Sequence, residues 1–175
     1  MLIGVNEFKV LGLFFRFPEN KFHVREIARL AELSAPGVLK ILEGLRKKNL
    51  VETRKTRVMT EVSAKRSEEF VRLKRFYNLL SLHESGFVRF LRDAYDEPEA
   101  VIVFGSFARG EDLSNSDVDV AVVTKLEKKL DLKKFESRLN RKIVVHEVIL
   151  SKCRKEFLNT LCNGAVLSGY LRLFE

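Results

Sequence analysis

Two aspartates, Asp117 and Asp119, stand two positions apart at the start of an apolar run that ends at Val123. If the run is a strand, the two carboxylates share one face, while Val118 and Val120 face the other side. Adjacent like charges repel one another, and a divalent cation between them would remove that penalty. Mg²⁺ is commonly held by one or two carboxylates together with the phosphates of a substrate. The pair therefore predicts a cation site that works with a phosphorylated ligand.

A glycine–serine turn precedes the two aspartates in the chain. The apolar residues 101–104 predict a buried strand, which Gly105 and Ser106 interrupt. Gly105 lets a phosphate approach the backbone closely. If Ser106 opens a short helix, the free N–H groups there attract an anion; the Ser106 hydroxyl can then donate to a phosphate oxygen, and Arg109 adds charge. We interpret the arrangement as a triphosphate held by the turn, with metal between it and the aspartates, which suits phosphoryl or nucleotidyl transfer.

The spacing of these residues resembles a known signature. Gly105 and Ser106, ten intervening residues, and then Asp-Val-Asp-Val from Asp117 are similar to the signature of the DNA polymerase beta-type nucleotidyltransferase superfamily. The phrase Phe-Gly-Ser-Phe-Ala-Arg-Gly followed by Ser-Asp-Val-Asp-Val is especially similar to its minimal nucleotidyltransferase branch, and residues 164–171 resemble the Gly-x-x-Leu-x-Gly strand of that branch. The resemblance covers about the last 80 residues. It implies an NTP substrate, expected to be ATP, with Mg²⁺ or Mn²⁺ as the cofactor.

The resemblance also implies a third carboxylate on a following strand, where it binds the metal or deprotonates the attacking hydroxyl. Residues 143–150 predict that strand, and Glu147 is its only acid, so we assign the role to Glu147. Two alternatives stay open. Glu147 is a surface or edge charge, in which case the aspartates bind metal and nucleotide without turnover, or the motif is an ordinary hairpin with solvated acids. The hairpin alternative does not explain why two poor strand formers interrupt so apolar a run.

Composition limits the class of protein. The chain has 175 residues, of which 46% are hydrophobic, so it has enough apolar material for a packed core. No apolar run approaches the roughly 18 residues of a membrane span, and Glu7 and Lys9 interrupt the N-terminal apolar stretch. Cys153 and Cys162 form no C-x-x-C pair, which indicates two free thiols in a reducing compartment. We therefore expect a cytoplasmic protein with no membrane partner.

The net charge of +8 is concentrated in the first third of the chain. Residues 1–60 carry a net +6, residues 61–98 are neutral, and residues 99–175 carry a net +2. A basic small domain suggests an acidic polymer as its partner, although basic surfaces also occur without one.

The N-terminal third predicts three helices and a basic hairpin. Helical apolar periodicity covers residues 6–17, 24–33 and 34–49, with Ser34 as the cap of the third helix, and residues 51–62 alternate imperfectly around a basic tip. This order resembles the winged helix-turn-helix of MarR- and ArsR-like proteins. The resemblance implies DNA as a partner, with the third helix in the major groove and the hairpin on phosphate or in the minor groove. The implied DNA contacts are Ser34, Gly37 and Lys40 of the helix and Arg54, Lys55 and Arg57 of the hairpin. A protein-binding module or simple packing are the alternatives for this unit.

Together these segments predict a protein of the α/β class, more narrowly α+β, in three parts. The parts are a winged helix-turn-helix domain at 1–63, a helical connector at 64–97 and a mixed-sheet nucleotidyltransferase domain at 98–175. The connector helices have an apolar face that packs within the chain or across a homodimer. Beyond the motif, the predicted elements are a helix over 125–139, a strand over 143–150 and a helix over 155–162.

Three functions are compatible with the sequence. The first is an enzyme that moves a nucleoside monophosphate from an NTP to a hydroxyl of a protein, a nucleic acid or a small molecule. The resemblance includes antitoxins that adenylylate a HEPN-type toxin, so such a protein is one implied partner. The second is a nucleotide-sensing, DNA-binding transcriptional regulator, or an antitoxin-like protein, with a non-catalytic transferase fold. The third is a protein-interaction module with a decayed site.

Overall fold

Helices and a small sheet make up the N-terminal part of the chain. The computed structural model describes residues 3–55 and 60–173, and the chain divides into two compact units, Met1–Lys74 and Arg75–Glu175. The elements of the first unit are α1 (Val5–Arg16), β1 (Lys21–His23), α2 (Val24–Ala31), α3 (Ala35–Lys47), β2 (Val51–Lys55) and β3 (Thr60–Ala64). Its strands form an antiparallel sheet in the order β1-β3-β2. The division between the units falls within the next helix, α4 (Glu68–Glu84).

The start of α3 follows the helix-capping rules. Ser34 has an extended backbone conformation, and its hydroxyl accepts a hydrogen bond of 3.2 Å from the backbone N–H of Gly37. Pro36 occupies the first turn, where its missing N–H costs nothing. The predicted cap is therefore confirmed. The inward side of α3 is apolar, and Phe14 of α1 packs edge-on against Phe22 of β1 in the same core, with ring centroids 5.3 Å apart.

The second unit is a mixed sheet with helices on its faces. After α4 its elements are α5 (Phe87–Ala94), β4 (Ala100–Phe104), α6 (Gly105–Arg109), β5 (Val118–Val123), α7 (Lys133–Leu139), β6 (Ile143–Val148), a 3₁₀ turn (Leu150–Lys152), α8 (Lys155–Cys162) and β7 (Ala165–Gly169). The sheet has the order β6-β5-β4-β7. β5 and β6 are parallel, whereas β4 pairs antiparallel with both β5 and β7. This mixed arrangement is consistent with the α+β class predicted for the C-terminal domain.

Each face of this sheet is covered, because alternate residues of β4 and β5 belong to different core clusters. Val118, Val120 and Val122 pack in a cluster with Phe87 and Leu91 of α5. The residues between them, Asp119 and Ala121, face the other side, where Ala121 packs in a cluster that includes Leu161 of α8. We call the first side the α5 face and the second the α8 face. The strand pattern with period two predicted for β5 is confirmed.

One predicted element is shorter than expected. The helix predicted over 125–139 covers only α7, Lys133–Leu139, and the preceding residues form a loop. The loop's backbone is bonded to side chains outside a helical ladder: the N–H of Leu126 donates to Thr124 Oγ1 at 3.1 Å, and the N–H of Lys128 donates to Glu147 Oε1 at 2.6 Å. These bonds offer the backbone an alternative to helix, which overrides the local apolar spacing.

The pairing of β7 is irregular. Its register against β4 shifts between Val101 and Ile102, so the ladder carries a bulge or similar irregularity there. Within the described part of the chain, β7 has β4 as its one strand neighbour and is an edge of the sheet. None of the helices described in the structure combines the length and the apolar character that a membrane span needs.

Candidate active site

The glycine–serine turn and one of the aspartates lie directly beside each other. β4 ends at Phe104, whose cross-strand partner is Asp119 of β5, and Gly105 then begins α6 with a positive φ of 74°. A Cβ built on Gly105 would lie 2.9 Å from Asp119 Oδ2. Any side chain here would therefore be strained and would press on the carboxylate. The structure brings the turn and Asp119 together, as the motif predicts.

The other two predicted groups are close to this contact in the chain. Ser106 is the second residue of α6 and is half-buried, while Asp117 is exposed and immediately precedes the first residue of β5. Among the described residues, neither the Ser106 hydroxyl nor the Asp117 carboxylate has a hydrogen-bonding partner. Both are therefore available to a ligand.

Arg109 is less available than the sequence suggests. Its Nε donates a 2.7 Å hydrogen bond to Glu111 Oε2, and both side chains are about half exposed. Its charge is shared with a neighbouring carboxylate. A bound triphosphate would have to compete with Glu111 for the guanidinium.

Glu147 does not join the aspartates, and the prediction that it completes their site is wrong in geometry. In the parallel pairing of β5 and β6, Glu147 stands opposite Val122 and thus belongs to the α5 face. Its Oε1 accepts hydrogen bonds from the Tyr95 hydroxyl, at 2.6 Å, and from the Lys128 backbone N–H, at 2.6 Å. Asp119 belongs to the opposite face.

These contacts give Glu147 a structural role. Tyr95 is buried, and burial raises the pKa of its phenol well above the usual value, with a further contribution from the hydrogen bond to Glu147. A neutral phenol is thus held as a donor to the carboxylate. Glu147 ties the loop before α7 to the sheet and to the residue that follows α5.

His146 of β6 is opposite Ala121, on the same face as Asp119, and its side chain approaches the Asp119 carboxylate. Its Nε2 lies 3.4 Å from Asp119 Oδ1, and the two side chains are 37% and 36% exposed. The imidazole packs near two aromatic rings of the α8 face: its centroid is 5.3 Å from that of Phe104 and 6.3 Å from that of Phe157. The sequence offered one signal for this position, since strand alternation places residues 146 and 147 on opposite faces. Choosing between them required the strand pairing.

A buried polar network supports the loop between α6 and β5. Asn78 of α4 donates to Asp112 Oδ1 at 2.7 Å and to the carbonyl of Phe107 at 2.8 Å. Arg141, which precedes β6, donates to Asp112 Oδ2 at 3.3 Å, and all three side chains are buried. The network joins the end of α6 to the loop that carries Asp117. No sequence pattern indicated it, because its members are far apart in the chain.

The donors at the turn fit a cation that shares its ligands with a phosphorylated substrate. Mg²⁺ and Mn²⁺ take oxygen donors, and Mg²⁺ commonly binds one or two carboxylates plus substrate phosphates. Asp119 supplies such a carboxylate beside the turn, and Asp117, two residues before it in the chain, is exposed. A cage built from protein side chains alone does not fit, because no group of three His, Cys, Asp or Glu in metal-binding positions occurs among the described residues.

The residues predicted to contact DNA lie on two elements of the first unit. Lys40 is exposed on α3, and Arg54 and Lys55 are exposed at the end of β2. Ser34 and Gly37 form the cap of α3, so the serine hydroxyl is already used as an acceptor. Arg57 lies outside the described residues.

A comparison with protein families gives a match on the second half of the chain. Residues 85–163 match the nucleotidyltransferase domain family, and the match includes the turn, both aspartates and β6. It covers somewhat less than half of the chain. No curated protein matches the chain. The match supports membership of this segment in the nucleotidyltransferase superfamily and, as a class of reaction, the transfer of a nucleoside monophosphate.

Proposed function

We propose that this protein is a metal-dependent nucleotidyltransferase that moves a nucleoside monophosphate from an NTP, expected to be ATP, to a hydroxyl acceptor. The observation that carries the proposal is the contact between the Gly105 turn and Asp119, 2.9 Å from the position of a Cβ. Glycine at this position lets the Asp119 carboxylate lie against the backbone of the turn, where a cation bound to the carboxylate would be next to a phosphate held by the turn. The family match of residues 85–163 supports the same class of reaction.

In this proposal the side chains of the turn position the triphosphate. The Ser106 hydroxyl donates to a phosphate oxygen, and the backbone at Gly105 allows the close approach. Asp117 and Asp119 hold the cation, which neutralises charge on the phosphates. The acceptor oxygen bonds to the α-phosphorus as pyrophosphate leaves. Since Glu147 is on the other face, the acceptor's proton would pass to Asp117 or Asp119.

The test uses the full chain with α-labelled ATP and Mg²⁺ or Mn²⁺. Pyrophosphate release and label transfer are measured with protein extract, RNA or hydroxyl-bearing small molecules as acceptors, a HEPN-type protein among them. Asp119→Asn should reduce transfer by about 100-fold or more, because it removes a charge that the transition state needs. The matched control is Asp93→Asn, which removes an exposed carboxylate from α5. Equal activity in the two variants would contradict the proposal.

A second function is favoured by one observation, the position of Glu147. Because no third acid joins Asp117 and Asp119 among the residues that the structure describes, the site can hold metal and nucleotide yet turn over slowly or not at all. The protein would then be a nucleotide-sensing, DNA-binding regulator or an antitoxin-like protein. This second function predicts saturable ATP binding without pyrophosphate release, together with a DNA affinity that changes when ATP is added.

For the first unit we propose a winged helix-turn-helix that binds DNA. The order of its helices and its antiparallel β1-β3-β2 sheet support this, as does the exposure of Lys40, Arg54 and Lys55. Replacing Arg54 with Ala should weaken binding and lower the slope of log affinity against log salt by about 0.9, the value for one lost phosphate contact. Lys9→Ala, which removes an exposed charge from α1, is the control. An unchanged slope for Arg54→Ala would remove β2 from the interface.

A helix-turn-helix that reads a palindromic site needs two copies of the chain. We therefore also propose a homodimer on DNA. Its mass on a duplex oligonucleotide, measured by light scattering, gives the number of chains bound.

A further inference from the structure

We propose that His146 is a nitrogen ligand of the cation at Asp119, and that the site consequently prefers Mn²⁺ and similar transition-metal ions to Mg²⁺. The proposal rests on the cation site of the proposed function but assigns a different ligand set to it. The face of β6 that a third carboxylate would need is occupied by an imidazole.

The distance between the two donor atoms is the first step. Asp119 Oδ1 and His146 Nε2 are 3.4 Å apart. Two ligands bonded to one ion at about 2.0–2.1 Å are separated by about 3.4 Å at a tetrahedral angle and by about 2.9 Å at a right angle. A direct N–H···O hydrogen bond is most often about 2.9–3.0 Å long. The separation equals the tetrahedral value and exceeds the right-angle value of an octahedral ion by about 0.5 Å, so joint ligation of such an ion requires a small approach of the two side chains.

The second step is the orientation of the ring. His146 is packed near Phe104 and Phe157, whose own rings meet edge-on at 5.6 Å. Phe104 is the residue immediately before the turn and the cross-strand partner of Asp119. The same packing thus places both the imidazole and the turn. About a third of the His146 and Asp119 side chains stays exposed, which leaves room for an ion and its remaining ligands.

The third step is ligand chemistry. Mg²⁺ is a hard ion that selects oxygen donors and keeps several waters, whereas imidazole is a donor for transition metals. A set of Asp119, His146 and phosphate oxygens therefore disfavours Mg²⁺ relative to transition-metal ions; Mn²⁺ stands lowest in their affinity order and is the probe that electron paramagnetic resonance can detect. Since no three protein donors converge among the described residues, the nucleotide or water supplies the rest.

Metal binding without nucleotide gives a test that does not depend on activity. Mn²⁺ is added to the full chain, bound ion is counted by electron paramagnetic resonance, and the pulsed experiment detects ¹⁴N coupled to the metal. We expect one Mn²⁺ with a directly bound imidazole nitrogen. His146→Ala should abolish the ¹⁴N coupling and weaken Mn²⁺ binding by about tenfold or more, at least the cost of losing a supporting residue. His83→Ala is the control, because His83 is an exposed histidine of α4.

His146→Asp makes the opposite prediction. It places a carboxylate beside Asp119 in place of the imidazole, so the ratio of Mn²⁺ to Mg²⁺ affinity, measured by calorimetry, should fall by about tenfold. Absence of Mn²⁺ binding by the unaltered chain, or ¹⁴N coupling that survives in His146→Ala, would overturn the proposal. If the chain turned over ATP with Mg²⁺ while His146→Ala changed neither the ¹⁴N coupling nor the Mn²⁺ affinity, His146 would be refuted as a ligand and the transferase would remain. Imidazole-bound Mn²⁺ without any ATP binding would refute the transferase and leave the metal site.

Discussion

Replacing Gly105 with Ala tests whether the turn and Asp119 form one site. Gly105 has a φ of 74°, where an L side chain costs about 1–2 kcal/mol, so the variant should be less stable by about that amount. The new Cβ would also lie 2.9 Å from Asp119 Oδ2. Because that atom ends a side chain with freedom to rotate, the contact should displace the carboxylate at little further cost in stability. Cation binding should therefore suffer more than folding does.

The chain contains a matched control for this experiment. Gly86, before α5, has a φ of 79°, and a Cβ added there would meet nothing within 4 Å. Gly86→Ala thus introduces the same backbone strain without the contact. Urea unfolding should show a similar loss of about 1–2 kcal/mol for both variants. ATP and Mn²⁺ affinity should fall by about tenfold or more in Gly105→Ala, as for loss of a residue that orients a ligand, and stay unchanged in Gly86→Ala.

Two results would refute this reasoning. If Gly105→Ala bound nucleotide and metal as tightly as Gly86→Ala does, the closeness of Asp119 to the turn would have no bearing on binding. If Gly105→Ala lost no stability, the positive φ would not be a required feature of the turn. The first result would remove the main support for a nucleotide site, and the second would concern the backbone alone.

Three further predictions concern stability. The pKa of Tyr95 is raised from its ordinary 10.0, so its neutral phenol stabilises the fold fully below that pH. At higher pH the unfolded chain ionises first, and the free energy of unfolding falls. Tyr95→Phe should flatten this fall, measured by urea unfolding at high pH. The hydrogen bond from Lys48 lowers the pKa of Glu7 from its ordinary 4.5, so the ionised carboxylate stabilises the first unit above that pH and this stabilisation is lost as the pH falls below it. Glu7→Gln should remove this acid dependence of the first unit's unfolding. Asp112→Asn leaves the buried Arg141 without its carboxylate and should cost about 3–5 kcal/mol in urea unfolding, whereas a cost below about 1 kcal/mol would show that the network contributes little.

Local signals were sufficient for the turn and for the strands that hold it. The apolar run before Gly105, the break at Gly105 and the alternation after Asp117 each specify structure within a few residues, and β4, α6 and β5 follow them. The cap at Ser34 is equally local. Such features depend on backbone preference and on which side chains are apolar, and both can be read from the sequence.

The errors arose where a residue's position depends on pairing between distant segments. Glu147 and His146 are adjacent in the chain, and only the parallel register of β6 against β5 decides that His146 faces Asp119. The loop before α7 departs from its helical pattern because Glu147, far along the chain, accepts the N–H of Lys128. The Asp112 network joins residues of three segments. Sequence spacing contains no information about such contacts.

The edge strand β7 has a further consequence for how the protein behaves at high concentration. Its five residues, Ala165–Gly169, carry no charge, and Val166 is about half exposed. An uncharged, unpaired strand flank is a template for adding a strand from another molecule. β7 is short, and its register against β4 is irregular at Val101, so its free edge is a less regular partner for an added strand. Protection from self-association thus depends on backbone shape rather than on repulsion, and a lysine at position 166 would add the missing electrostatic safeguard.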